Sequence, residues 1–173
     1  MFVGLTRFGT EEGKVNSTAD IEAVLKILSS TPRRIATIAR GQKASRLHLK
    51  PDPDTWSAND VLAHLRACSD VWGKDIMKIL AEDHPTMRYL SPRLWIRKTN
   101  YPDLTFETSV DAFTAQRKEL LKTLKGLSSA EWSRAARFKM GKKMREMTVF
   151  ECASRMAEHE SKHCEQIRRL LGA

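Results

Sequence analysis

At 173 residues, 41% hydrophobic and 29% charged, the chain has the size and composition of a globular domain with room for a full core. No run reaches the ~20 apolar residues of a membrane span, and no basic segment leads into an apolar one near the start, so neither a membrane protein nor a secretory signal is expected. The net charge of +9 raises nucleic acid as a partner, but the densest basic run, Arg134 to Arg145, holds one aromatic, Phe138, and no nucleic-acid motif; it reads as a solvated loop.

Residues 1–17 are polar and read as a flexible arm, ahead of one domain over 18–173. Ser17 or Thr18 caps a first helix over 18–40, with Ile21, Val24, Leu25 and Leu28 on its apolar face. Pro32 either kinks this helix or opens a new one capped by Thr31, and Ile35, Ile38 and Ala39 continue the stripe. Two prolines at 51 and 53 keep the next connection extended. Ser57 with Asp60 three residues on then forms a capping box for a second helix over 57–82, and Trp56 precedes it as a hydrophobic staple. The inward face of that helix is Val61, His64, Leu65, Cys68, Val71, Trp72, Ile76 and Ile79.

Residues 87–102 form a connection broken by Pro92 and Pro102. A third helix over 107–126 carries Val110, Phe113, Leu120, Leu121 and Leu124, with Arg117 the odd member of the stripe. Arg117 is either a long stem snorkelling past the core or a partner for a carboxylate near a site. Ser128 and Glu131 box a short helical turn, and residues 137–146 around Gly141 make a small hairpin or an irregular loop. Thr148 with Glu151 boxes the last helix, over 148–171. Four capped amphipathic helices with no convincing strand set predict an all-α four-helix bundle with long connections.

Chemistry concentrates on the last helix. Cys152, Met156, His159, His163, Ile167 and Leu170 share one otherwise apolar face. Imidazoles at i and i+4 converge on one point, so His159 and His163 either hold a metal or are core histidines with hydrogen-bond partners. His159-Glu160-Ser161-Lys162-His163 also spells H-E-x-x-H, which makes Glu160 a candidate general base or, with a different helix rotation, a solvent-facing residue. Cys68, Cys152 and Cys164 are odd in number and form no C-x-x-C, which fits a reducing, cytoplasmic setting. Cys68, one turn from His64, is the better reserve ligand; Cys164 follows His163 directly and points elsewhere.

Two stretches resemble a known family. Thr55 to Leu65 is similar to the W-S-x-x-(D/E)-V-L-x-H-L signature of the DinB-like superfamily, and Thr148 to Leu171 to its last helix, which carries H-(E/D)-x-x-H-x-x-Q-I. Phe113, Arg117, Leu127, Trp132 and Gly141 follow its spacing between them. The resemblance implies a bundle of up-down-down-up topology and a divalent metal held by three histidines, which fall on His64, His159 and His163. It also implies a metal-dependent enzyme, hydrolase- or thiol-transferase-like, acting on an unspecified small molecule, and a possible homodimer. Nitrogen donors suit zinc or nickel first, with iron or copper as further options.

Two other readings stand beside this one. The first is a non-enzymatic bundle whose metal is structural or absent. The second is an H-E-x-x-H zinc peptidase, which is disfavoured: Gln166 and Arg169 occupy the Gly and His positions of the extended motif, and no strand set offers a substrate an edge.

Overall fold

The computed structural model describes residues 17–173. The arm expected over 1–17 lies outside the described residues except for Ser17, which caps the first helix. The helices are α1 (Thr18–Ala39), α2 (Ala44–Leu47), α3 (Ala58–Ala81), α4 (Pro92–Trp95), α5 (Phe106–Leu124), α6 (Ser129–Trp132) and α7 (Val149–Leu171). The strands are β1 (Thr86–Arg88), β2 (Ala135–Met140) and β3 (Lys143–Thr148).

The four long helices form a bundle in which α1 and α3 each pack against both α5 and α7. Their starts follow from side-chain chemistry. Ser17 with Asp20, Ser57 with Asp60 and Thr148 with Glu151 are reciprocal capping boxes, each satisfying two otherwise orphaned backbone donors. Thr105 caps α5 alone, through the Thr108 N–H. Gly172 closes α7 at φ +69, where a side chain would be strained. Pro32 neither ends nor restarts α1. It lies buried within the helix, and the Thr31 hydroxyl turns back onto the Ile27 carbonyl at 2.9 Å. No helix among the described residues is long and apolar enough to cross a membrane.

A strictly all-α fold does not hold. The strands form one sheet in the order β1-β2-β3, with β1 parallel and β3 antiparallel to β2. The basic segment 134–145 is therefore not a solvated loop. Most of it is a hairpin turning at Gly141, whose φ of +63 is what the first position of a two-residue turn demands. Along β2, Ala136 and Phe138 face inward while Arg137 and Lys139 face water. The inward side chains, with Met87 and Met147, pack against Ile76, Ile79, Val149 and Met156. The sheet thus closes one end of the bundle. His84, at φ +42, leads into β1 and holds the Glu146 carboxylate at 3.0 Å.

The core divides into two apolar clusters. One joins Leu28, Ile76, Leu124 and Met156 to the sheet, and the other groups Ile35, Leu65, Phe113 and Ile167. Between them lies a polar layer with one residue from each long helix: Thr31, Ser69, Arg117 and Glu160, all buried. Arg117 pairs with the Glu160 carboxylate and donates to Ser69 Oγ at 3.0 Å. Its guanidinium also contacts the Met156 sulfur. Burial raises the Glu160 carboxyl to about 7, against the opposing pull of the Arg117 guanidinium.

Breaking a buried pair leaves one charge uncompensated, which costs far more than replacing both partners by apolar groups. Arg117→Met should therefore destabilise by about 3–5 kcal/mol, and Arg117→Met with Glu160→Met should recover most of the loss. Urea unfolding of the three proteins checks this. A single variant as stable as the parent would mean that the pair does not tie the helices together.

Candidate metal centre

α3 and α7 bring the histidines together. His64 lies on the inner face of α3, and His159 and His163 sit one turn apart on α7. His159 Nε2 is 3.3 Å from His64 Nε2 and 3.2 Å from His163 Nε2. Cys68 Sγ is 3.4 Å from His64 Nε2. The donor atoms of His64, Cys68 and His159 all lie within 4.8 Å of one another, and His163 joins this group through His159.

Two tryptophans frame the cluster. The Trp56 ring lies 4.9 Å from the His64 ring and 6.2 Å from the His163 ring, between centroids. Trp72 meets His159 edge-on at 4.8 Å. Trp56 is half-buried, so it closes the cluster from outside as well as stapling α3. The rim is cationic: Arg93 and Arg155 lie over the Trp56 and Trp72 rings at 5.4 and 5.6 Å. Neither has a carboxylate partner within ion-pair distance among the described residues.

The environment keeps the imidazoles neutral. Burial, then the charge of His163, then that of Arg93, lowers His64 to about 4. Burial and the two neighbouring histidines lower His159 to about 3. His163 is lowered too, chiefly by burial, and the Gln166 side chain opposes the shift. Neutral imidazole is the form that ligates.

The tautomers carry the fit to a metal. Gln166 Oε1 accepts from His163 Nδ1 at 2.7 Å, which leaves His163 Nε2 as a bare lone pair facing His159. A neutral His159 has one N–H. If Nε2 carries it, one hydrogen bond forms, and Nδ1 is left as a buried acceptor with no protein partner. If Nδ1 carries it, that donor is unpaired and Nε2 lone pairs meet. A cation among the Nε2 atoms takes up the facing lone pairs, with His159 Nδ1 carrying the proton and still without a protein partner. The N···N spacings agree, since ligands at ~2.0–2.1 Å in a tetrahedron stand ~3.3–3.4 Å apart.

The residue signatures and the geometry coincide with one family. The sequence profile of the DinB superfamily matches residues 27–167. The chain belongs to the DinB superfamily. The fold is also similar to a solved structure described as "YfiT from Bacillus subtilis is a probable metal-dependent hydrolase with an unusual four-helix bundle topology". The TM-score is 0.79 at 15% identity, covering 94% of this chain and 91% of that one. A search of curated proteins found no significant match.

Within this DinB fold, the structure gathers His64, His159 and His163 in one place, and it puts Glu160 elsewhere. Glu160 is 2% exposed and bound to Arg117, and it makes no hydrogen bond to a histidine. Its carboxylate is thus neither solvent-facing nor seated among the three rings. Arg117 meets a carboxylate, the second of the two roles its position allowed. The sequence reading did not identify Gln166 as the hydrogen-bond partner of His163. Its spacing of three from His163, on the same helix face, was the available signal. Arg93 was missed because it comes from α4, a single turn in a proline-broken connection.

A group whose folded pKa is depressed binds protons better when unfolded, so its stability contribution is lost as pH falls. For His64 and His159 the loss begins near the ordinary value of 6.5 and runs down toward 4 and 3. Metal-free protein should thus lose stability between about pH 7 and about pH 4.5, and His159→Gln should flatten the curve. Urea midpoints across this range measure it. A variant curve parallel to the parent's would mean the fold does not hold His159 neutral.

Proposed function

We propose that this DinB-superfamily protein is a metal-dependent enzyme, hydrolase- or thiol-transferase-like, acting on a small molecule at a divalent ion held by His64, His159 and His163. The supporting observation is the convergence of three neutral imidazoles, with His159 Nε2 facing the Nε2 atoms of both His64 and His163. Zinc or nickel suits the nitrogen donors best, with iron or copper also compatible. Such an ion, when bound, lowers the pKa of a coordinated water or thiol so that it can attack near neutral pH.

The residues of the chain have separate tasks in this reading. Gln166 holds the His163 tautomer, leaving Nε2 free to ligate. Trp56 and Trp72 exclude water from two sides of the cluster. Arg93 and Arg155, unpaired at the rim, favour a substrate with an anionic group. Glu160 was the candidate base; its pairing with Arg117 supports a positioning role instead, through the rotation of α7. Contacts also support the up-down-down-up order. Arg66 and Asp70 meet Ser109 and Gln116 in the same sequence direction, whereas Trp56 and Trp72 meet His163 and His159 in opposite directions. A cytoplasmic setting and a homodimer complete the proposal, the first resting on three buried, free cysteines.

His159→Ala should abolish stoichiometric zinc while keeping most helix content, and His84→Ala should keep both. Metal analysis of untagged protein beside circular dichroism measures both. Chelation should remove any hydrolytic or thiol-transfer activity found in a substrate screen, and zinc should restore it. One equivalent of zinc retained by His159→Ala would refute the site.

A further inference from the structure

We infer that Cys68 is a fourth donor to the ion held by the three histidines, as a thiolate. The inference rests on the metal reading above and extends it to a sulfur ligand.

The position of Cys68 carries it. Its sulfur lies 3.4 Å from His64 Nε2, the nitrogen that also faces His159. A tetrahedral ion with nitrogen at ~2.0–2.1 Å and sulfur at ~2.3 Å separates the two donors by ~3.5 Å. The sulfur and His64 Nε2 therefore stand at the spacing of one coordination shell, and a His159 ring nitrogen lies within 4.8 Å of both residues' donor atoms. Cys68 also differs from the other two cysteines in its surroundings. Cys152 and Cys164 belong to the two apolar clusters, where they pack as small hydrophobes. Cys68 is buried yet belongs to neither cluster, and among the described residues its hydrogen-bonding contacts are with His64.

A divalent ion deprotonates a coordinating thiol outright. On binding, the S–H bond breaks, the sulfur lone pair goes to the ion, and the proton leaves to water. Cys68 would then hold the ion together with the three histidines. A thiolate also shifts preference toward zinc and cobalt and away from magnesium or manganese.

Cobalt(II) reports the sulfur directly. The full chain, made metal-free and loaded with one equivalent of cobalt(II), should show an intense thiolate-to-cobalt charge-transfer band in the near ultraviolet. Cys68→Ser should still bind one equivalent but lose the band, with zinc affinity reduced more than about tenfold. Cys164→Ser should keep the band. Cys68→Ala gives the same readout if the buried serine disturbs folding. A parent protein that binds cobalt without the band, or a Cys68 variant that retains it, overturns this inference and leaves the three-histidine site standing. A parent protein that binds no cobalt overturns both.

Discussion

The bundle turns on one buried contact, the pairing of Arg117 with Glu160. Two charges taken out of water are unfavourable unless each finds the other in good geometry. The pair therefore constrains α5 and α7 more sharply than apolar packing does, since methyl groups tolerate sliding and a guanidinium–carboxylate contact does not. Ser69 brings α3 into the same layer through the second bond from Arg117. The layer separates the two apolar clusters, so helix register is set at mid-height and the cores pack outward from there.

That constraint decides what the neighbouring residues do. His159 and Glu160 are adjacent on α7 and project ~100° apart. With Glu160 drawn inward to Arg117, His159 is turned toward α3 and His64, and His163 follows one turn later. The geometry of the histidines is thus a consequence of the ion pair beside them. The capping box at Thr148 sets where α7 begins, and the pair sets its rotation.

Much of this was legible in the sequence, for identifiable reasons. The capping boxes at Ser57 and Thr148 are short-range chemistry, so helix starts could be read from adjacent residues. Three histidines on apolar stripes could be placed on helix faces by periodicity alone. The sheet could not. β1 has three residues, too few to show a period of two, and its partner Arg137 lies some 50 positions from Thr86. In β2 the alternation of Ala136 and Phe138 with Arg137 and Lys139 was present but masked by the density of basic residues. The rotation of α7 was undetermined because it depends on Arg117, a residue on another helix.

The H-E-x-x-H string shows why a motif needs its surroundings. In a zinc peptidase the glutamate serves as general base beside the metal. Here the same five residues lie on a helix whose inner face meets an arginine from α5, and the glutamate is taken up by it. The histidine spacing i, i+4 is a property of any helix, so it survives in either setting. The role of the residue between them depends on which charge the neighbouring helix supplies. A buried arginine opposite Glu160 takes up its carboxylate and holds it away from the three imidazole rings. That division of labour is what a four-helix bundle allows, because each position of α7 faces a different partner helix.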